Sequence, residues 1–160
     1  MGEAYQAYLA LLRSLGENLE QLSALAKKKV AAANSDDLMA LDEIMKQEQA
    51  MTLAFRGMEQ SREKLLAQMG CGDVPLSQLP GHFPPELQAT AREVVSLLQR
   101  QYQDYRKETD EARTVLERHL REIDAILSGL GGATAPEDGP GYVPPPPLDT
   151  PPSMKTDFRA

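Results

Sequence analysis

Apolar residues recur in alternating steps of three and four along three long stretches of this chain. In the first stretch the repeat consists of Tyr5, Tyr8, Leu12, Leu15, Leu19, Leu22 and Ala26. Steps of this kind place one side chain per helical turn on a single face. Additional leucines beside the repeat widen that face beyond the needs of a two-stranded coiled coil. The pattern therefore predicts a helix over residues 3–33 inside a bundle, with Gly16 as a mild weakness.

A second helix is predicted over residues 37–69, directly after the turn-forming sequence "NSDD". Ser35 or Asp36 is the expected N-cap, because short polar side chains accept hydrogen bonds from the first free N–H groups of a helix. So short a connection forces the two helices to lie antiparallel, as a hairpin. Glu48 and Arg62 interrupt the apolar stripe of this helix and are expected at its edge. The stripe consists of Leu38, Leu41, Ile44, Met51, Phe55, Met58, Leu65 and Met69.

The third and longest helix is predicted over residues 85–128. Pro85 suits its first turn, and a cluster of glycines follows its end. Its repeat consists of Ala91, Val95, Leu98, Tyr102, Tyr105, Thr109, Ala112, Leu116, Ile123 and Ile126. The preceding residues 70–84 contain several glycines and prolines, so they are expected to form an ordered loop with one helical turn near Leu76.

These elements predict an all-α protein: an elongated antiparallel three-helix bundle over residues 1–130, made of a helical hairpin and a longer third helix. The absence of Trp and the scarcity of other aromatic residues also favour a helical bundle. Prolines are concentrated in residues 131–160, which include the sequence "VPPPPLDTPP". This segment is expected to be a disordered tail, because it cannot bury enough apolar surface to offset its ordering entropy.

Charge, apolar run length and cysteine content argue against several classes of function. A net charge of −7 disfavours binding to nucleic acid or to an anionic membrane surface. No apolar run approaches the roughly 20 residues of a membrane span, and no signal peptide is evident. With Cys71 as the single cysteine, these features favour a cytoplasmic protein.

No catalytic motif, phosphate-binding loop or metal-ligand cluster is evident, so we expect neither enzymatic activity nor a cofactor. His119 lies on a long helix, as phosphorelay histidines do. Its neighbours Glu122 and Ile123 fit that role poorly, which makes phosphotransfer a distant alternative.

The predicted helix lengths do not match. The third helix exceeds the other two by roughly ten residues, or about 15 Å, which leaves an apolar overhang expected near Ala112–Leu130. Such a stripe can bind a foreign helix, or it can meet a second copy of the chain or the loop 70–84. The second helix also contains five methionines, which are typical of adaptable binding surfaces but more often fill cores.

The sequences "NSDDLMALDEIMKQEQAM" and "SREKLLAQMG" resemble those of the FlgN-like flagellar type III export chaperones. Asp37, Leu38, Leu41 and Lys46 fit the first part of the family pattern, and Arg62, Leu65, Leu66 and Gly70 fit the second. The resemblance covers roughly residues 5–130, and the Pro-rich tail lies outside it.

The resemblance implies a non-enzymatic cytosolic chaperone. It would bind the helical C-terminal segments of hook-associated (hook–filament junction) proteins, prevent their premature assembly and deliver them to the type III secretion apparatus, with export-apparatus components as further partners. By position, the resemblance implies that cargo binds at Leu116, Leu120, Ile123, Ile126, Leu127 and Leu130. The alternative is a structural coiled-coil or adaptor protein that only forms homo-oligomers.

Overall fold

The computed structural model describes residues 2–130, so the prediction of a disordered tail at 131–160 lies outside the described residues. Three long α-helices dominate: α1 (Gly2–Asn34), α2 (Leu38–Gln68) and α3 (Pro85–Gly129). A 3-10 helix (Leu76–His82) connects α2 to α3. The described part of the chain contains no strand. The predicted all-α architecture, a hairpin followed by a longer helix, is confirmed.

The turn between α1 and α2 is built by two consecutive aspartates. Asp36 adopts the left-handed conformation, with φ of 55°, and its N–H donates to the carbonyl of Ala33 while that of Asp37 donates to Ala32. These bonds close α1 in a Schellman motif. The N-cap of α2 is then Asp37, whose Oδ1 accepts from the backbone N of Ala40 at 3.1 Å. The expectation of Ser35 or Asp36 as the cap is wrong, because both residues are still engaged in ending α1.

The helix α1 is central. Both α2 and α3 pack on it, whereas within residues 2–130 the backbones of α2 and α3 do not approach each other closely. Three contacts show that α3 runs parallel to α1, because the residue numbers rise together along both helices. Near the middle of α1, Gln101 Nε2 donates to Glu20 Oε1 at 2.8 Å. Further along, Lys27 Nζ lies 3.9 Å from Glu108 Oε1, and at the end of α1 His119 Nε2 lies 3.2 Å from Asn34 Oδ1. The hairpin turn therefore lies level with His119. We call this the distal end of the molecule and the opposite end proximal.

The buried core is concentrated at the proximal end. Its large cluster joins side chains of all three helices and of the connection between α2 and α3; among its members are Tyr8, Leu12, Leu15, Leu19, Phe55, Leu66, Leu76, Leu79, Phe83, Ala91 and Leu98. The predicted helical turn near Leu76 is confirmed, and it closes this end of the bundle. A second cluster, built on Leu25, Ala32 and Ile44, lies near the hairpin turn and is much smaller. The packing therefore thins towards the distal end.

Glu48 and Arg62, the two charged residues on the apolar stripe of α2, are buried, which corrects the expectation that they lie at its edge. Lys29 Nζ of α1 lies 2.8 and 2.9 Å from the two carboxylate oxygens of Glu48. The guanidinium group of Arg62, whose residue is 4% exposed, donates to Glu59 from Nε and Nη2 at 3.2 and 3.1 Å and to Tyr8 Oη at 3.5 Å. A charge is tolerated in a core when it is paired and hydrogen-bonded. The pattern of α2 alone does not reveal these partners, two of which lie on α1.

Candidate partner-binding surface

The face of α3 that packs on α1 continues beyond the end of α1. Its buried and half-buried positions step by three and four through Tyr105, Thr109, Ala112, Leu116 and His119. The same steps continue through Ile123, Ile126 and Leu130, where all residues from 120 to 130 are exposed. Since a helix repeats every 3.6 residues, these later positions lie on the same face of α3 that α1 covers between Tyr105 and His119.

The uncovered part of this face consists of large apolar side chains, which we call the distal stripe. The exposed fractions are 61% for Leu120, 51% for Ile123, 62% for Ile126, 46% for Leu127 and 74% for Leu130. Five such side chains on three helical turns form a contiguous apolar patch, which marks an interaction site more often than a scatter of single residues does. The family resemblance implied six cargo-binding residues. Five of them form the distal stripe, whereas the sixth, Leu116, is half-buried.

The overhang of α3 has about the predicted length, but it begins later in the chain than the predicted range. Ala112 is buried against the rest of the bundle, and α3 stays in contact with α1 as far as His119, which reaches Asn34. The uncovered segment is therefore 120–130, about 16 Å long at 1.5 Å per residue. The predicted range Ala112–Leu130 began two turns too early, because α1 covers α3 as far as His119.

Acidic residues flank the distal stripe on both sides. On a helical projection Glu122 falls next to one edge of the stripe and Asp124 next to the other, while Arg118 and Arg121 fall on the back of the helix. Glu122 lies 4.0 Å from Arg118 Nε and 3.8 Å from His119 Nδ1. A partner that covers the stripe would therefore meet negative charge at both edges.

The geometry of His119 does not favour a phosphoacceptor role. Its Nε2 lies beside Asn34 Oδ1, and its Nδ1 faces the carboxylate of Glu122. Both ring nitrogens thus lie beside oxygen atoms, and a carboxylate would repel an incoming phosphoryl group. The contact with Asn34 instead ties the hairpin turn to α3.

Sequence reasoning missed two further features. At the hairpin turn Leu38 and Met39 are almost fully exposed, although the pattern assigned Leu38 to the core stripe. At the proximal end a cavity of about 460 Å³ is lined by Tyr8, Arg62, Asp73 and Leu76, among others. This cavity lies roughly 40 Å from the distal stripe, counted along α1.

The methionines of α2 serve mainly the core. Met51, Met58 and Met69 are half-buried against the two clusters, whereas Met39 is exposed. The described residues contain no group of three or more His, Cys, Asp or Glu side chains that could hold a metal ion. None of their helices is long and apolar enough to cross a membrane.

The fold thus defines an all-α protein in which a helical hairpin carries an extended third helix with an uncovered apolar face. The chain matches the family model described as FlgN protein over residues 1–143 and belongs to that family, a family of flagellar export chaperones. The match includes the Pro-rich segment as far as Val143, further than the resemblance seen in the sequence, and leaves residues 144–160 outside. No curated protein and no solved structure matches the chain.

Proposed function

We propose that this protein is a cytosolic, non-enzymatic export chaperone that binds the amphipathic helical C-terminal segments of flagellar hook–filament junction proteins. Binding would keep the cargo from assembling prematurely and deliver it to the flagellar type III secretion apparatus. Membership of the FlgN family supports the class of function. The single structural observation that carries the proposed site is the uncovered distal stripe.

The geometry suggests how a cargo helix would bind. The stripe continues the face on which α3 packs against α1, so a cargo helix can take the position that a longer α1 would occupy. The end of α1 at Asn34 limits that position on one side. Covering five roughly half-exposed Leu and Ile side chains would contribute roughly 1 kcal/mol each. The small total binding free energy implies weak, reversible binding, which fits a chaperone that must release its cargo.

The proposal is tested with full-length protein and a peptide from the C-terminus of a junction protein. Replacing Ile123 and Ile126 together by Asp removes two apolar contacts and places charges in the stripe. We expect affinity to fall at least roughly tenfold, since each 1.4 kcal/mol lost corresponds to a factor of ten. Both side chains are exposed, so the free energy of unfolding should change by about 0.5 kcal/mol or less.

The matched control is Leu53→Asp. Leu53 lies on α2, is 70% exposed and is remote from the distal stripe. Affinity for the peptide should be unchanged in this variant. Unchanged affinity in the Ile123→Asp, Ile126→Asp variant would exclude the distal stripe as the cargo site.

A second candidate is self-association, which the shape of the stripe favours. Two copies could place their overhangs antiparallel, so that each fills the position beyond the end of the other's α1, as in an isologous interface. Sedimentation velocity over a wide concentration range decides between the candidates. A dimer that dissociates in the Ile123→Asp, Ile126→Asp variant would support self-association, and a monomer throughout would exclude it.

A further inference from the structure

The position of the chain's last 30 residues determines what lies nearest to the distal stripe. Leu130 is both a member of the stripe and the last described residue, so the segment 131–160 begins at the edge of the uncovered surface. Gly131 and Gly132 follow at once, and glycine permits the reversal of direction that would lead the chain back along α3.

One part of that segment has the chemistry to cover the stripe. The sequence "SMKTDFRA" (153–160) contains Met154 and Phe158, spaced by four, and each is followed directly by a cation, Lys155 and Arg159. One helical turn would place the two apolar side chains on the same face. The stripe is apolar with acidic residues at both edges, so an apolar pair in a segment that carries two cations and one acid, Asp157, complements it.

The length of the intervening chain also fits. A chain as long as 131–153 has a typical end-to-end distance of roughly 25–30 Å when it is flexible and up to about 70 Å when its prolines extend it, against about 16 Å for the uncovered segment of α3. The end of the chain can therefore reach every part of the stripe without being stretched. Tethering at this distance corresponds to an effective concentration in the millimolar range, so even a weak contact would be populated.

From these observations we infer that residues 153–160 cover the distal stripe of the same molecule when no partner is bound. The tail end occupies the surface through Met154 and Phe158, and cargo binds by displacing it. The free chaperone then does not expose an apolar surface of five residues to solvent. The covering contact needs no cargo, whereas its regulatory consequence rests on the proposed function.

A single fluorophore tests the contact, because the chain contains no Trp. In full-length protein carrying Phe158→Trp, we expect a blue-shifted emission and a several-fold lower acrylamide quenching constant than for a solvent-exposed Trp. Adding Ile123→Asp and Ile126→Asp should shift the emission to that of exposed Trp. Adding Leu53→Asp instead should leave it unchanged. Both spectra should be independent of protein concentration.

Three results would overturn the inference. They are a solvent-exposed emission in the Phe158→Trp protein, a blue-shifted emission that survives the two Asp substitutions in the stripe, and a blue shift that disappears on dilution, which would indicate docking on a second copy.

A second variant, Met154→Asp with Phe158→Asp, tests displacement of the tail by cargo. It should bind the junction-protein peptide several-fold more tightly than the wild type, and unchanged affinity would contradict displacement by cargo.

The two proposals fail in different ways. If the emission of the Phe158→Trp protein is blue-shifted and depends on the stripe, but the junction-protein peptide does not bind, the covering contact stands and the cargo assignment is wrong. If the peptide binds at the stripe while the introduced fluorophore is solvent-exposed throughout, the cargo assignment stands and the covering contact is wrong.

Discussion

At the scale of single residues, Gly16 has a role that its helix propensity does not reveal. It is buried on the α3 side of α1, where a Cβ would lie 2.7 Å from Cδ of Gln101. Gln101 is itself held by its hydrogen bond to Glu20. The sequence suggested a simple weakness of α1, but the missing side chain makes room for a contact between helices.

A double-mutant cycle should reveal this role. Gly16→Ala alone should not gain the roughly 1 kcal/mol expected from helix propensity, because the new methyl group displaces Gln101 and costs its hydrogen bond. In a Gln101→Ala background the same substitution should stabilise the protein. Urea unfolding of the four proteins measures the coupling, which we expect to be on the order of 1 kcal/mol. Equal effects in both backgrounds would show that Gly16 makes no room for Gln101.

Tyr8 gives the fold a dependence on alkaline pH. Burial raises the pKa of Tyr8 above its ordinary value, and this effect outweighs the hydrogen bond from Arg62, which lowers the pKa. A group whose pKa is raised on folding contributes stability that is present below its unfolded pKa, about 10, and is lost as the pH rises above it. At neutral pH, where Tyr8 is uncharged in both states, we expect Tyr8→Phe to be less stable than the wild type by about 1 kcal/mol, because it loses the hydrogen bond from Arg62.

The difference between the two proteins should narrow as the pH rises through about 10. Urea midpoints measured from about pH 8 to about pH 11 would follow it. A difference that stays constant over that range would mean that Tyr8 does not contribute to the alkaline loss of stability.

At the scale of the helices, Asp37 determines where α2 begins. Replacing it by Ala leaves the N–H of Ala40 without its side-chain acceptor, which should cost about 1 kcal/mol. The control is Asp42→Ala, which removes an exposed pair with Lys46 and should cost no more than about 0.5 kcal/mol. Chemical unfolding compares the two variants, and an equal effect of both would argue against a special role for the cap.

The sequence predicted the helices better than their contacts. The steps of three and four located α1, α2 and α3, because one covered face per helix leaves a strong periodic signal. They could not locate the partners of Glu48 and Arg62, since Lys29 and Tyr8 lie on another helix and no periodicity connects them. Half-buried and exposed members of a stripe also look alike in sequence.

The position of the distal stripe likewise depends on contacts between helices, which the sequence did not reveal. Its existence followed from helix length and spacing alone. Its true start at Leu120 required the register between α1 and α3, which the contact of His119 with Asn34 defines.

At the scale of the whole molecule, packing decreases from the proximal end to the distal end. The proximal cluster joins all three helices and the connection before α3, the cluster near the hairpin turn is small, and the segment 120–130 is exposed throughout. Local opening costs least where few apolar contacts are buried. The surface proposed for cargo thus adjoins the least tightly packed part of the bundle.

Hydrogen exchange should reveal this gradient when the two clusters are perturbed separately. Leu15→Ala, in the proximal cluster, should lower the global free energy of unfolding by about 2–5 kcal/mol and speed the exchange of all slowly exchanging amides. Ile44→Ala, in the distal cluster, should speed exchange mainly around the hairpin turn and leave the amides near Leu12 and Phe55 almost unchanged. Exchange measured by mass spectrometry on both variants distinguishes the regions.

If Ile44→Ala instead accelerates exchange everywhere, residues 2–130 unfold as one cooperative unit. The hairpin turn could then not adjust separately from the proximal core when the distal stripe is occupied. If the effect stays distal, the hairpin turn can shift against α3 without loss of the proximal core, so the surface proposed for cargo at Leu120–Leu130 can adjust without global unfolding.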